Sequence, residues 1–206
     1  MVILNLDQRA CLNLTYCSIL FDTERMGGMK TVQPIRDHAK IDAMKNALLR
    51  KSERNYFLFV LGINVGMRIS DLLPLRIGDL MGTHLVVQEK KTGKRKRFFI
   101  NNQLRSEINL YAAGKSPEEY VFPSRKGGHI SRIQAYYILN DAAREVGLDN
   151  VGTHTLRKTF GYFHYKRYKD VALLQQLFNH SSPSITLRYI GITQDEIDDT
   201  LADFFL

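Results

Sequence analysis

Two arginines, one lysine, two histidines and one tyrosine in this sequence have the chemistry needed to cleave a phosphodiester. They are spread along the chain as Arg68, Lys91, His154, Arg157, His180 and Tyr189. Arginine binds phosphate oxygens through paired, charge-assisted hydrogen bonds, lysine or histidine transfers protons, and a tyrosine phenol can attack phosphorus. Because no cluster of carboxylates accompanies the set, we expect a reaction without a metal ion or any other cofactor.

Five short motifs carry these residues, at positions 66–73, 90–94, 154–160, 179–182 and 184–189. In order and spacing, the motifs resemble those of the tyrosine recombinase (phage integrase) family. The resemblance covers most of the chain, from about residue 31 to residue 189. It implies the catalytic-domain fold of that family and a reaction that breaks and rejoins DNA, either as a site-specific recombinase or as an integrase.

The resemblance also implies a role for most residues of the set. Arg68 and Arg157 would neutralise the non-bridging oxygens of the scissile phosphate. Tyr189 would attack phosphorus and form a 3′-phosphotyrosyl link, which a 5′ hydroxyl from another strand could reseal without ATP. His154 would be an acid/base partner, and His180 would hydrogen-bond the phosphate.

Two further assignments come from the same resemblance. The sequence Lys-Thr-Gly at positions 91–93 matches the place where the family carries its catalytic lysine. Lys91 is therefore expected to protonate the departing 5′ oxygen, with Lys90 and Lys94 as the alternatives. Asp71, three residues after Arg68, would support the site without contacting the phosphate.

A basic hairpin is expected around the catalytic lysine. Residues 84–89 and 95–100 are rich in β-forming side chains and flank a short turn that contains glycine. Six of the eight residues from 90 to 97 are Lys or Arg. Such a run is usually a solvated turn, but the catalytic lysine within it favours a turn that enters a DNA groove. The residues expected to bind DNA are Lys90, Lys94, Arg95, Lys96, Arg97 and Lys158.

The overall charge agrees with a nucleic-acid partner. The chain has 29 Lys and Arg against 21 Asp and Glu, a net charge of +8 and a sequence pI near 9.5, which favours a polyanion. Double-stranded DNA is the expected partner. The resemblance further implies that the protein forms a homo-oligomer, a tetramer assembled on DNA. It also implies accessory DNA-bending or directionality factors.

Cysteine usage and hydropathy bear on the compartment. Cys11 and Cys17 do not have the spacing of a metal site or of a disulfide framework. No apolar run approaches the ~20 residues that cross a bilayer. We expect a cytoplasmic protein of bacterial or phage origin, associated with the nucleoid when bound to DNA.

The pattern of apolar residues predicts a mainly α fold with a small antiparallel β-sheet (α+β). Helices are predicted over residues 38–50, 55–65, 102–113, 131–146 and 171–178, with another beginning at a Thr153 cap. In the helix over 131–146, Ile133, Tyr136 and Tyr137 lie near one face. An aromatic stripe at this spacing is more often core than a base-stacking surface, so we expect it to be buried.

Three segments are expected along the chain. Residues 1–30 form a poorly defined leader, residues 31–192 the catalytic domain, and residues 193–206 an acidic, amphipathic C-terminal helix that could dock on a neighbouring protomer. Family members usually carry a separate helical DNA-binding domain before the catalytic one, and residues 1–30 do not resemble it. The sequence is therefore either the catalytic half of a longer protein or a truncated gene, with Met29 as an alternative start.

Three other functions are alternatives to recombination. A DNA-binding regulator with the same fold would not need a nucleophile, so the complete set of catalytic residues argues against it. A type IB topoisomerase would use the same chemistry to relax DNA, but the small size and the segment after Tyr189 favour a recombinase. A metal-dependent nuclease is the weakest alternative because the sequence offers no convincing carboxylate pair.

Overall fold

The computed structural model describes residues 32–90 and 93–192, together with Ala202 and Phe205. The helices are α1 His38–Lys51, α2 Glu53–Val65, α3 Ile69–Leu72, α4 Asn102–Ala112, α5 Arg132–Glu145, α6 Thr153–Tyr168, α7 Val171–Phe178 and α8 Pro183–Ile190. A 3₁₀ helix spans Ile77–Leu80, and the strands are β1 His84–Gln88 and β2 Arg95–Phe99. The predictions for the leader, for Lys91 and for the C-terminal helix fall outside the described residues.

The two strands form the hairpin that the sequence predicts. They pair antiparallel, with His84 opposite Phe99 and Gln88 opposite Arg95. The mainly α fold with a small antiparallel sheet is thereby confirmed. Within residues 32–90 and 93–192, no helix combines the length and apolarity that crossing a membrane would require.

Helix α2 is the centre of the main core. Phe57, Leu58 and Phe59 are fully buried, and the helix packs against α1, α4 and α6. Contact with α6 depends on Gly62, because a Cβ atom there would lie only 2.5 Å from Cδ1 of Leu156. This close approach brings the C-terminal end of α2 next to the first turns of α6.

A smaller apolar group, which we call the minor cluster, joins α6, α7 and α8. It consists of Tyr162, Leu174, Phe178, Ile190 and Ile192. Gly161 allows the three helices to meet, since a Cβ atom at this position would lie 2.6 Å from Ile190 and 2.8 Å from Phe178. The minor cluster therefore fixes where α8 lies on α6.

The buried face of α5 is not the predicted one. Ile133, Tyr136 and Tyr137 are 59%, 42% and 59% exposed, so the expectation of a buried aromatic stripe is wrong. The buried residues are Ala135, Leu139, Ala142 and Ala143. Small alanines on this face allow α5 to lie close to α1 and α6, and the bulky side chains are left outside.

The start of α6 also differs from the prediction by one residue. Gly152 is the N-cap and Thr153 is the first helical residue, so Thr153 is not the cap. The Thr155 hydroxyl accepts a hydrogen bond from the backbone N–H of Gly152 at 3.1 Å. A Cβ atom on residue 152 would lie 3.1 Å from Cγ1 of Val32, so glycine fits the crowded cap position better than a threonine.

Candidate active site

The C-terminal end of α7 gathers the cations of the site. The last carbonyls of a helix have no partner within the helix, and they lie at the negative end of its dipole. Arg157 donates to the Phe178 carbonyl at 2.9 Å, and Arg68 reaches the same oxygen at 3.5 Å. Lys96 donates to the Leu177 carbonyl. Backbone oxygens at the end of a helix thus hold part of the positive charge of the site.

Arg157 is the most buried of these cations, with 3% of its surface exposed. A second hydrogen bond joins its Nη1 to the Gly66 carbonyl at 2.8 Å, and its guanidinium lies 4.2 Å from the centre of the Phe178 ring. Burial lowers the pKa of Arg157 to about 10. The side chain therefore remains charged at neutral pH, and its position is fixed by the ends of α2 and α7.

Arg68 follows the end of α2 directly. Gly66 stops the helix in the left-handed conformation, with φ of 61°. Arg68 Nη1 lies 2.5 Å from Oε1 of Glu89. Asp71 is buried and accepts a hydrogen bond from the backbone N–H of Lys90 at 3.1 Å. The acid thus fixes the backbone just after β1, where the hairpin turn begins.

The Tyr189 side chain, on α8, lies among three rings. Its hydroxyl is 3.3 Å from Nδ1 of His154, and its ring centre is 5.0 Å from that of His180 and 5.6 Å from that of Phe178. Burial raises the pKa of the Tyr189 phenol, while the positive charges of Arg157 and Arg68 act in the opposite direction. The phenol is therefore protonated at rest, with cations placed to stabilise the phenolate.

His154 is in a suitable state to accept that proton. It lies one turn before Lys158 on α6, at the exposed edge of the site. Partial burial lowers its pKa, and the charges of Lys158 and Arg157 lower it further. A neutral imidazole next to a protonated phenol forms an acid/base pair.

His180 is oriented by the first turn of α8. Its Nδ1 lies 3.1 Å from the Thr186 hydroxyl, which lies 3.2 Å from the Ser182 carbonyl. Because the hydroxyl hydrogen is directed to that carbonyl, we assign the Nδ1 hydrogen of His180 as the donor to Thr186. Burial and then the charges of Arg157 and Arg68 lower the pKa of His180 to about 4.

The low pKa of His180 predicts a dependence of stability on pH. An unfolded histidine titrates near 6.5, so between that pH and about 4 the unfolded chain binds more protons than the folded one. Stability should therefore fall as the pH decreases through this window. The slope of unfolding free energy against pH reports how many more protons the unfolded chain binds. In His180→Gln this slope should be smaller, by an amount that corresponds to up to about one proton. Urea unfolding at several pH values measures this slope, and an unchanged slope would contradict the assignment.

The structure brings five of the six predicted catalytic residues together: Arg68, His154, Arg157, His180 and Tyr189. Of the residues expected to bind DNA, Lys90, Lys94, Arg95 and Arg97 are exposed. Lys96 and Lys158 are half-buried within the site. Lys158 donates to the Val32 carbonyl at 2.9 Å and lies 5.2 Å from the centre of the Tyr189 ring.

Sequence reasoning missed Glu89, whose side chain is 2% exposed. A signal for it was present, because alternate residues of a strand face the same side of a sheet. Leu85 and Glu89 are buried and Val87 is half-buried, and they alternate with exposed neighbours. The alternation therefore directs a carboxylate inward at the end of β1.

The comparisons with known proteins identify the family to which the chain belongs. The model of the phage integrase family matches residues 30–196. The Probable integrase/recombinase YoeC of Bacillus subtilis (strain 168) is 53% identical over 169 residues, which cover 81% of this chain and 93% of that protein. The chain belongs to the phage integrase family, and the resemblance to tyrosine recombinases is confirmed.

Two further matches show how much sequence and structure the chain shares with other proteins. A Tyrosine recombinase of Pseudothermotoga lettingae is 29% identical over 156 residues, 73% of this chain and 54% of that protein. This chain thus spans about half the length of that relative. The crystal structure of a lambda integrase(75-356) dimer bound to a COC′ core site is similar with a TM-score of 0.66 and 16% identity, over 90% of this chain and 72% of that one. The two chains share a fold.

Proposed function

We propose that this protein is a site-specific DNA recombinase or integrase that forms a 3′-phosphotyrosyl intermediate without a metal ion or ATP. The observation that carries the proposal is the Tyr189 hydroxyl, which lies beside neutral His154 and near the charges of Arg157 and Arg68. A phenol with a proton acceptor beside it and cations nearby is the combination that attack by a tyrosine on a phosphodiester needs. Membership of the phage integrase family supports it.

In the proposed reaction, Arg68 and Arg157 bind the non-bridging oxygens of the scissile phosphate. The Tyr189 oxygen forms a bond to phosphorus as its proton passes to His154, and the bond from phosphorus to the 5′ oxygen breaks. Lys91 donates the proton that the 5′ oxygen requires. Positioning and electrostatic stabilisation supply most of the rate enhancement in phosphoryl transfer.

Double-stranded DNA is the proposed partner. The exposed side chains of Lys90, Lys94, Arg95 and Arg97 lie on the hairpin beside the site, where they can neutralise phosphates on either side of the cut. The lambda integrase dimer that shares the fold is bound to a DNA core site, which supports DNA as the partner. We further propose a tetramer assembled on DNA, with residues 193–206 linking neighbouring protomers and accessory factors setting the direction.

A suicide DNA substrate tests the function. It should carry the sequences that flank the native gene and a nick that lets the cleaved end diffuse away, so that the covalent complex accumulates. A shifted band on a denaturing gel is the expected result. A regulator would bind this DNA without forming the band. A topoisomerase would form it but would relax plasmids without exchanging strands.

The assignment of Lys91 gives a prediction. Lys91→Ala should slow cleavage about 100-fold or more, because general acid catalysis contributes typically 10²–10⁴-fold, and DNA affinity should change little. A substrate with a 5′ sulfur leaving group needs no proton and should restore the rate. Lys90→Ala and Lys94→Ala serve as matched controls on the same turn. If sulfur rescues one of those two variants instead, the acid is that lysine.

A further inference from the structure

A buried carboxylate lies against the proposed phosphate clamp. Oε1 of Glu89 is 2.5 Å from Nη1 of Arg68 and 3.5 Å from Nζ of Lys96. The Glu89 side chain is 2% exposed, and those of Arg68 and Lys96 are 19% and 14% exposed. A buried carboxylate is unfavourable unless it is paired, and here one oxygen is shared by two cations.

This carboxylate does not serve DNA affinity. A phosphodiester is an anion, so a negative charge next to the cations that bind it weakens the binding by repulsion. The role of Glu89 must therefore be sought in geometry. A guanidinium carries five N–H donors, so the contacts of Arg68 with Glu89 and with the Phe178 carbonyl leave donors for a phosphate.

The contacts of Glu89 also explain how it is held. Its backbone N–H donates to the Lys94 carbonyl at 2.9 Å, and its carbonyl accepts from the N–H of Gly93 at 2.8 Å. Glu89 thus closes the base of the hairpin turn. Lys96, on the opposite strand, donates to the Leu177 carbonyl at the end of α7. The carboxylate is therefore fixed from both strands and through Lys96 from α7.

We propose that Glu89 is a positioning residue that holds the Arg68 guanidinium in the orientation required to bind the scissile phosphate, without contacting the phosphate itself. The loop that carries Arg68 has only the four-residue helix α3 behind it, so a long side chain there needs an external anchor. Glu89 provides that anchor from the hairpin. This inference rests on the proposed function, because it assumes that Arg68 binds the phosphate.

The test compares binding with cleavage in Glu89→Gln, which keeps the size of the side chain and removes its charge. We expect cleavage of the suicide substrate to slow about 100-fold, the effect typical of a lost electrostatic contact in an active site. DNA affinity should be equal or higher, because a repulsive charge is gone. Glu145→Gln is the matched control, since Glu145 is an exposed carboxylate paired with Arg50.

A double-variant experiment tests whether Glu89 affects the cleavage rate through Arg68. If Glu89 acts through Arg68, adding Glu89→Gln to Arg68→Ala should slow cleavage no further. Three results would each overturn the proposal: a double variant whose rate falls by the product of the two single effects, a wild-type rate in Glu89→Gln, or a parallel loss of binding and cleavage.

If the thermal midpoint of Glu89→Gln falls, Glu89→Asp provides the test. It retains the charge and should recover at least a tenth of the wild-type rate, and a rate no better than that of Glu89→Gln would overturn the proposal.

The design separates this inference from the proposed function. A wild-type protein that binds the substrate but forms no covalent complex would contradict the recombinase proposal before any variant is compared. A wild-type protein that forms the complex, with Glu89→Gln equally fast, would contradict only the role of Glu89.

Discussion

Tyr189→Phe is expected to abolish the covalent complex with DNA, with a fall in rate of at least about a thousandfold, or ~4 kcal/mol in the barrier. In the proposed mechanism the phenol oxygen is the atom that bonds to phosphorus, and phenylalanine lacks it. The ring should keep its contacts with His180 and Phe178, which are made through its faces and edges. DNA affinity and the thermal midpoint should therefore stay close to those of the wild type.

The measurement is a denaturing gel of the suicide substrate beside a gel-shift titration of the same DNA. Tyr168→Phe is the matched control, because Tyr168 is 58% exposed at the end of α6. This variant should cleave DNA at the wild-type rate. Undiminished covalent complex in Tyr189→Phe would falsify the assignment of the nucleophile. Loss of both binding and cleavage would show that the substitution damages the site rather than the chemistry.

Arg157→Lys is expected to lower the cleavage rate by about 100-fold to 1000-fold, although it preserves the positive charge. Arg157 bonds to the Gly66 and Phe178 carbonyls, and in the proposed mechanism its remaining donors bind the phosphate. A lysine has a single ammonium and cannot reproduce that planar set of contacts. One buried carbonyl would also lose its partner, which destabilises the fold by about 1–3 kcal/mol.

Single-turnover cleavage and urea unfolding measure the two effects of this substitution separately. Arg167→Lys is the control, since Arg167 is an exposed residue on the same helix. Cleavage at the wild-type rate in Arg157→Lys would show that the charge alone is sufficient. In that case the two carbonyl contacts would have only a structural role.

Much of the site can be predicted from the sequence because the chemistry is carried in short motifs. His154 and Arg157 lie three residues apart on one helical face. His180 lies just before the start of α8, and Tyr189 lies on that helix. The local pattern therefore predicts that the members of each pair lie close together. The family resemblance predicts that both pairs belong to one site. The hairpin could be predicted for a similar reason, because its turn and its strands are contiguous.

The features that escaped prediction depend on contacts between distant segments. The pairing of Glu89 with Arg68 requires β1 to end beside the loop after α2. The cap of α6 is set by Val32, which is far away in sequence, and the buried face of α5 by close helix packing. None of these partners is visible in a local pattern. The roles of Lys91 and of the other site residues stay predictions.

Tyr189 depends on the minor cluster for its position. Helix α8 has eight residues, too few to be stable alone in water, so its order depends on its contacts with α6 and α7. Phe178, in the same cluster, supplies the carbonyl that both Arg157 and Arg68 reach, and Arg157 also bonds to the end of α2 in the main core. Opening of such a peripheral unit requires less free energy than unfolding of the whole domain. We therefore expect local opening of the minor cluster to withdraw Tyr189 and to loosen the Phe178 anchor of both arginines in one step, so that DNA capture and strand scission are thermodynamically coupled.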